Sequence, residues 1–135
     1  MIKKQFTLYL QNRPGVLARV TKTLADLKVN LEGISVSEST DVGLVQIVAD
    51  DAAAAKRALK KANVTYEVQD VSVLPLVNRP GSLSRVIEKL AEARINVNYV
   101  YATACACSSD CSCYVVIGAP DLRKVEKAWR IVSKP

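Results

Sequence analysis

The chain has 135 residues, half of them hydrophobic, and a net charge of +6 with no histidine. That length suits one compact body or two small modules, and an apolar fraction this high argues against intrinsic disorder. The missing imidazole excludes Ser-His or Cys-His catalytic pairs and any metal site with histidine ligands.

In chain order, Met1-Ile2-Lys3-Lys4 runs directly into an alternating segment with Ile2, Phe6, Leu8 and Leu10 in one parity. This predicts a half-buried strand over 2–10 rather than a leader peptide. No apolar run approaches the roughly 20 residues of a membrane span, so the expectation is a cytoplasmic protein with no membrane partner. Asn12-Arg13-Pro14-Gly15 then breaks the strand. Proline suits a first helical turn, and glycine allows close backbone approach. Val16, Leu17, Val20, Leu24 and Leu27 follow at helical spacing, predicting an amphipathic helix over about 15–28. Residues 30–38 and 43–49 read as a hairpin around Glu38-Ser39-Thr40-Asp41. Asp50-Asp51 opens an alanine-rich helix to about Ala62, with acids at the favourable N-terminal end. A strand through Tyr66–Val77 closes a β-α-β-β-α-β unit.

At Asn78 the chain begins to repeat itself. Asn12-Arg13-Pro14-Gly15-x-Leu17 returns as Asn78-Arg79-Pro80-Gly81-x-Leu83, 66 residues later, and Arg19/Arg85, Val20/Val86, Leu24/Leu90, Ala25/Ala91 and Asn30/Asn96 stay in register. Internal periodicity identifies the structural unit, here about half the chain. The second copy predicts a helix over about 82–93, strands over 96–107 and 111–118, and a helix from Pro120 carrying Leu122, Val125, Trp129 and Val132. It ends without a closing strand, so the Tyr66–Val77 segment both ends one unit and begins the next. An unpaired sheet edge invites association, and the expectation is that the other copy or a second subunit covers it.

The two loop motifs, each between a strand and a helix and each followed by Val-Asn-Leu or Ile-Asn-Val, resemble those of the ACT domains. These are small ferredoxin-like modules that bind amino acids and regulate enzymes of amino-acid metabolism. The resemblance implies an α+β fold of two tandem βαββαβ units, with antiparallel sheets carrying helices on one face. It places domain one at 1–69 and domain two at 70–135, with a shared strand over about 66–77. It also implies a non-catalytic regulatory module that acts in trans on an enzyme of amino-acid metabolism, and the missing last strand adds the expectation of a homodimer. In ligand-binding members the effector lies between neighbouring units. The matching positions are Asn12, Gly15, Val16, Leu17 and Asn30, and in copy two Asn78, Gly81, Ser82, Leu83 and Asn96. Where some members carry a histidine two residues before the loop asparagine, this chain has Leu10 and Leu76, which favours a more apolar amino acid. The residue types suit that role on their own terms. Asparagine offers donors and an acceptor to a zwitterion, and the free N–H groups of a helix start suit a carboxylate. The same motif is also ordinary turn and helix-start sequence.

The copies differ at the second hairpin. Val45 and Ile47 match Val115 and Ile117 at an offset of 70, so four extra residues fall at a tip that holds every cysteine: Cys105, Cys107, Cys111 and Cys113. A turn at Ser108-Ser109-Asp110 would set Cys107 opposite Cys111 and Cys105 opposite Cys113. All four would then lie on the open face of the sheet beside Tyr99 and Tyr101. Three readings compete: cysteine as a small hydrophobe, a tetrathiolate site for zinc or an iron–sulfur cluster, and a thiol–disulfide pair such as Cys107–Cys111. The last two would make the chain a metal or redox sensor on the same scaffold. The basic residues around Lys56–Lys61 and Arg123–Lys134 lack a helix-turn-helix or paired exposed aromatics beside them. They read as solvated helix faces, with no nucleic-acid partner.

Overall fold

A computed structural model describes residues 1–38, 41–103 and 112–133. Six strands and four helices follow one another as β1 (Ile2–Gln11), α1 (Val16–Asp26), β2 (Leu31–Glu38), β3 (Val42–Ala49), α2 (Ala52–Lys61), β4 (Thr65–Val77), α3 (Ser82–Glu92), β5 (Tyr99–Thr103), β6 (Ser112–Gly118) and α4 (Leu122–Ser133). They fall into two compact units. One is Lys4–Gln69; the other runs from Asp70 onward and also takes in Met1–Lys3.

In the first unit β3 lies between β2 and β1, antiparallel to both, with Leu8 opposite Val45 and Val45 opposite Val36. Alternation puts Phe6, Leu8, Leu10, Val45 and Ile47 on one face. There they meet Val20 and Leu24 of α1 and Ala55, Ala58 and Leu59 of α2, all within a few per cent of complete burial. The small side chains along α2 let its backbone approach the sheet. Asp51 starts this helix by accepting the Ala54 N–H at 2.9 Å, and Lys60 and Lys61 sit at the negative end of its dipole. The Arg19 guanidinium, one of the residues repeated at offset 66, donates to the Ala62 carbonyl just past α2 and ties the two helix ends together.

The second unit repeats the scheme. β6 lies between β4 and β5, with Leu74 opposite Val115 and Ala102 opposite the same valine. Leu74, Leu76, Val115 and Ile117 pack on Val86 and Leu90 of α3 and on Val125 and Ala128 of α4. The Trp129 indole N–H donates to the Pro75 carbonyl at 3.2 Å and pins α4 to β4. Truncating any one of the fully buried leucines in these two cores, Leu24 or Leu90 for instance, costs about 2–5 kcal/mol in comparable cores.

The expectation that the other copy or a second subunit covers the edge left by the missing closing strand is met by the other copy, whose first residues pair with β4. The start of the chain fills that place. The Val73 N–H donates to the Met1 carbonyl at 2.7 Å, and the Met1 nitrogen donates to the Val73 carbonyl at 3.0 Å. β1 and β4 each contribute residues to both units.

Candidate functional site

Each Asn-Arg-Pro-Gly loop ends in a glycine at the N-cap, Gly15 before α1 and Gly81 before α3, both at φ 86°. That left-handed conformation strains any residue with a Cβ. No heavy atom lies within 4 Å of where a Cβ would stand, so the backbone angle, not crowding, demands glycine. The loops are otherwise matched. Val16 N–H donates to Arg13 and Ser82 N–H to Arg79, and the helices then begin with Arg19 on Gly15 and Arg85 on Gly81. Neither helix has a side-chain cap. Among the described residues the N–H groups of Leu17 and Ala18, and of Leu83 and Ser84, therefore face the space before the helix without a protein acceptor. Leu17 and Leu83 are exposed beside them, while Ser82 is buried.

The asparagines of each copy are not brought together. Asn12 follows β1 and its N–H donates to Asp41, at the start of β3. Asn30 precedes β2, and its N–H donates to the Asp50 carboxylate just past the end of β3. The 8 residues of β3 lie between these points, about 26 Å at strand rise. Asn78 likewise lies at the β6 start, where Val77 pairs with Ser112. Asn96 lies at the other end, its amide reaching Asn98, whose N–H donates to Gly118. A ligand site using both asparagines thus needs the loop end of one unit and the β2-type end of another.

Near the Asn12 end, on the face opposite the helices, the first unit has a cavity of about 510 Å³ lined by Tyr9, Ser37, Glu38, Val42 and Leu44. Tyr9, Leu44 and Ser37 stand in one cross-strand row. The Tyr9 hydroxyl donates to the Glu67 carboxylate at 3.1 Å, and that bond to a nearby anion holds its proton on above the ordinary tyrosine range. Sequence reasoning missed these residues. The available signal was an aromatic in the parity opposite Phe6, Leu8 and Leu10, out of place on a purely solvated face.

The cysteine expectation is corrected in part. Cys105, Cys107 and Cys111 lie outside the described residues. Cys113 packs partly buried on the α3–α4 side with Val115 and Ile117, not on the open face. The β5–β6 ladder pairs Tyr101 with Val116 and Thr103 with Tyr114. That register is displaced by one residue from the one that would set Cys105 opposite Cys113, and a one-residue slip exchanges the faces. Tyr99 and Tyr101 therefore share the face opposite Cys113, with the Tyr99 ring lying over Gly118. Among the described residues, no three cysteines, aspartates or glutamates gather as a metal-ligand set. No helix among them is long and apolar enough to cross a membrane.

Comparison with known proteins agrees with this geometry. A family model described as an ACT domain pair matches residues 1–109, a span containing both loop motifs. The acetolactate synthase small subunit of Aquifex aeolicus is 30% identical over 101 residues, which are 70% of this chain and 53% of that protein. The chain thus spans about half the length of this relative. Among solved structures, a Bacteroides thetaiotaomicron protein superposes with a TM-score of 0.85 at 27% identity, over 97% of this chain and 88% of its own. The ligand-free regulatory subunit of aspartate kinase from Thermus thermophilus gives 0.68 at 19% identity, covering 98% and 93%, a likeness of fold. With the family model spanning residues 1–109, most of the sequence, and both loop motifs within it, the chain belongs to the ACT domain pair family.

Proposed function

We propose that this chain is a non-catalytic regulatory module whose ACT units bind an amino-acid effector at the Asn-Arg-Pro-Gly loops and transmit occupancy to an enzyme of amino-acid metabolism. The observation that carries the reading is the twice-built helix start. A left-handed glycine and a missing side-chain cap leave N–H donors open at α1 and α3, where a carboxylate is favoured by both hydrogen bonding and the helix dipole. Glu38, in the cavity near the Asn12 end, supplies an anionic partner suited to an ammonium group. Val42 and Leu44 line the same cavity and suit an aliphatic side chain. Since Asn12 and Asn30 lie at opposite ends of their sheet, the complete site lies between units, and we assign it to a homodimer. The partial match to an acetolactate synthase small subunit supports a regulated partner in amino-acid biosynthesis.

The test is a thermal-shift screen with the common amino acids. A ligand selective for the folded state at about 100 times its Kd adds about 2.7 kcal/mol, a clear rise in melting temperature. Aliphatic amino acids should give the largest rise, and Asn12→Ala with Asn78→Ala should remove it while the unliganded melt stays within a degree or two. Silence from every amino acid at saturating concentration refutes the effector reading.

A further inference from the structure

The second unit has a cavity that the loop sites do not use. It measures about 770 Å³ and lies between the start of β1 and the outer side of α4. Arg123, Lys127 and Arg130 line it, spaced so that one side of the helix presents all three. The single carboxylate among its lining residues, Glu126, is already engaged: the Met1 nitrogen stands 2.7 Å away and the Ser72 hydroxyl donates at 3.1 Å. Asp121, just before α4, pairs with Lys124. Among the described residues none of the three cationic side chains has an acceptor. Beside them Ile2 and Ile131 are 46% and 60% exposed. Three like charges gathered without counter-ions repel one another, and an anion seated among them relieves that repulsion. Exposed aliphatic carbon in the same hollow favours an organic anion over an inorganic one, and the volume lies within the ~300–1,000 Å³ of small-molecule sites.

We propose that this cavity binds a small organic dianion, a phosphate monoester with a short aliphatic body. The phosphate would lie among Arg123, Lys127 and Arg130, the two guanidinium forks matching its oxygens and the Lys127 ammonium adding a point charge, with the carbon chain against Ile2 and Ile131. The site involves neither loop glycine nor either asparagine pair, so it stands or falls separately from the effector reading.

Titration calorimetry of the full chain with hexyl phosphate tests it. The expected result is one site per chain, at least about tenfold tighter than for inorganic phosphate. The double variant Lys127→Gln/Arg130→Gln should weaken it by about tenfold or more, as loss of charge-assisted bonds requires. Lys56→Gln/Lys60→Gln, which removes the same charge from α2, should leave it unchanged. Ile131→Ser should narrow the gap between hexyl and inorganic phosphate. Equal binding to the wild type and the Lys127/Arg130 variant, or equal weakening by both double variants, overturns the proposal. So does inorganic phosphate binding as tightly as hexyl phosphate.

Discussion

Tyr101 shows how strongly one position can be set by its neighbours. Its direct cross-strand partner Val116 is buried, as is Val73 opposite Val116 in turn. Burial, and secondarily the charge that Tyr99 carries once ionised, pushes the Tyr101 hydroxyl well above the ordinary value of 10.0. In the unfolded chain the same group titrates near that ordinary value. The folded pKa is thus the higher one, so the contribution to stability is complete below pH 10 and is lost as pH rises above it, where only the unfolded chain releases the proton. The native protein should therefore show a tyrosinate absorbance step short of full titration until it unfolds in alkali, with Tyr101 among the tyrosines withheld. Tyr101→Phe should flatten the fall of melting temperature above pH 10 and leave neutral stability nearly unchanged; an unaltered alkaline slope would contradict this assignment. Gly15 and Gly81 were legible at this scale because a left-handed N-cap has few solutions in sequence. Tyr9 and Glu38 were not, because their closeness to a cavity depends on which strands become neighbours.

Among the elements, the three helices with assigned N-caps start in two ways, and the difference separates structure from function. Asp51 satisfies an N–H of α2 with its own carboxylate, whereas α1 and α3 begin at bare glycine. Asp51→Ala should therefore cost about 1 kcal/mol, roughly 3–5 °C for a chain of this size, with no effect on ligand binding. An unchanged melting temperature would show the cap to be dispensable. Strand and helix order was readable throughout, because apolar spacing changes cleanly from two to three or four residues. The register of the second hairpin was not. Val115, Val116 and Ile117 are consecutive and all buried, so alternation cannot say which parity faces the helices. Packing decides it: Val115 and Ile117 take the α3–α4 side and Cys113 goes with them. The expectation of four cysteines on the open face rested on turn symmetry alone, a weaker constraint than two large aliphatic side chains seeking the core.

At the scale of the whole molecule, repetition revealed the units but not that each copy's paired asparagines stand at opposite ends of its strands. Asn30 and Asn96 are equivalent by sequence, as are Asn12 and Asn78, yet strand direction puts the two members of each copy's pair a full strand apart. A site between chains follows if both asparagines contact one effector, and its symmetry makes it testable. In a two-fold dimer each of two equivalent sites takes Asn12 from one chain and Asn30 from its partner. In an Asn78→Ala background, Asn12→Ala and Asn30→Ala should each abolish the remaining amino-acid-dependent thermal shift. Mixed in equal amounts and allowed to exchange subunits, they form mixed dimers as about half of the population, each with one doubly damaged site and one intact site. Calorimetry of the mixture should then recover about a quarter of the binding capacity of the Asn78→Ala parent at that parent's affinity, since an isologous interface distributes the two lesions to the same site. Recovery of none, while subunit exchange is verified by mass, would mean that the two asparagines do not meet across a dimer. Unimpaired binding by either variant, relative to that parent, would remove that asparagine from the site altogether.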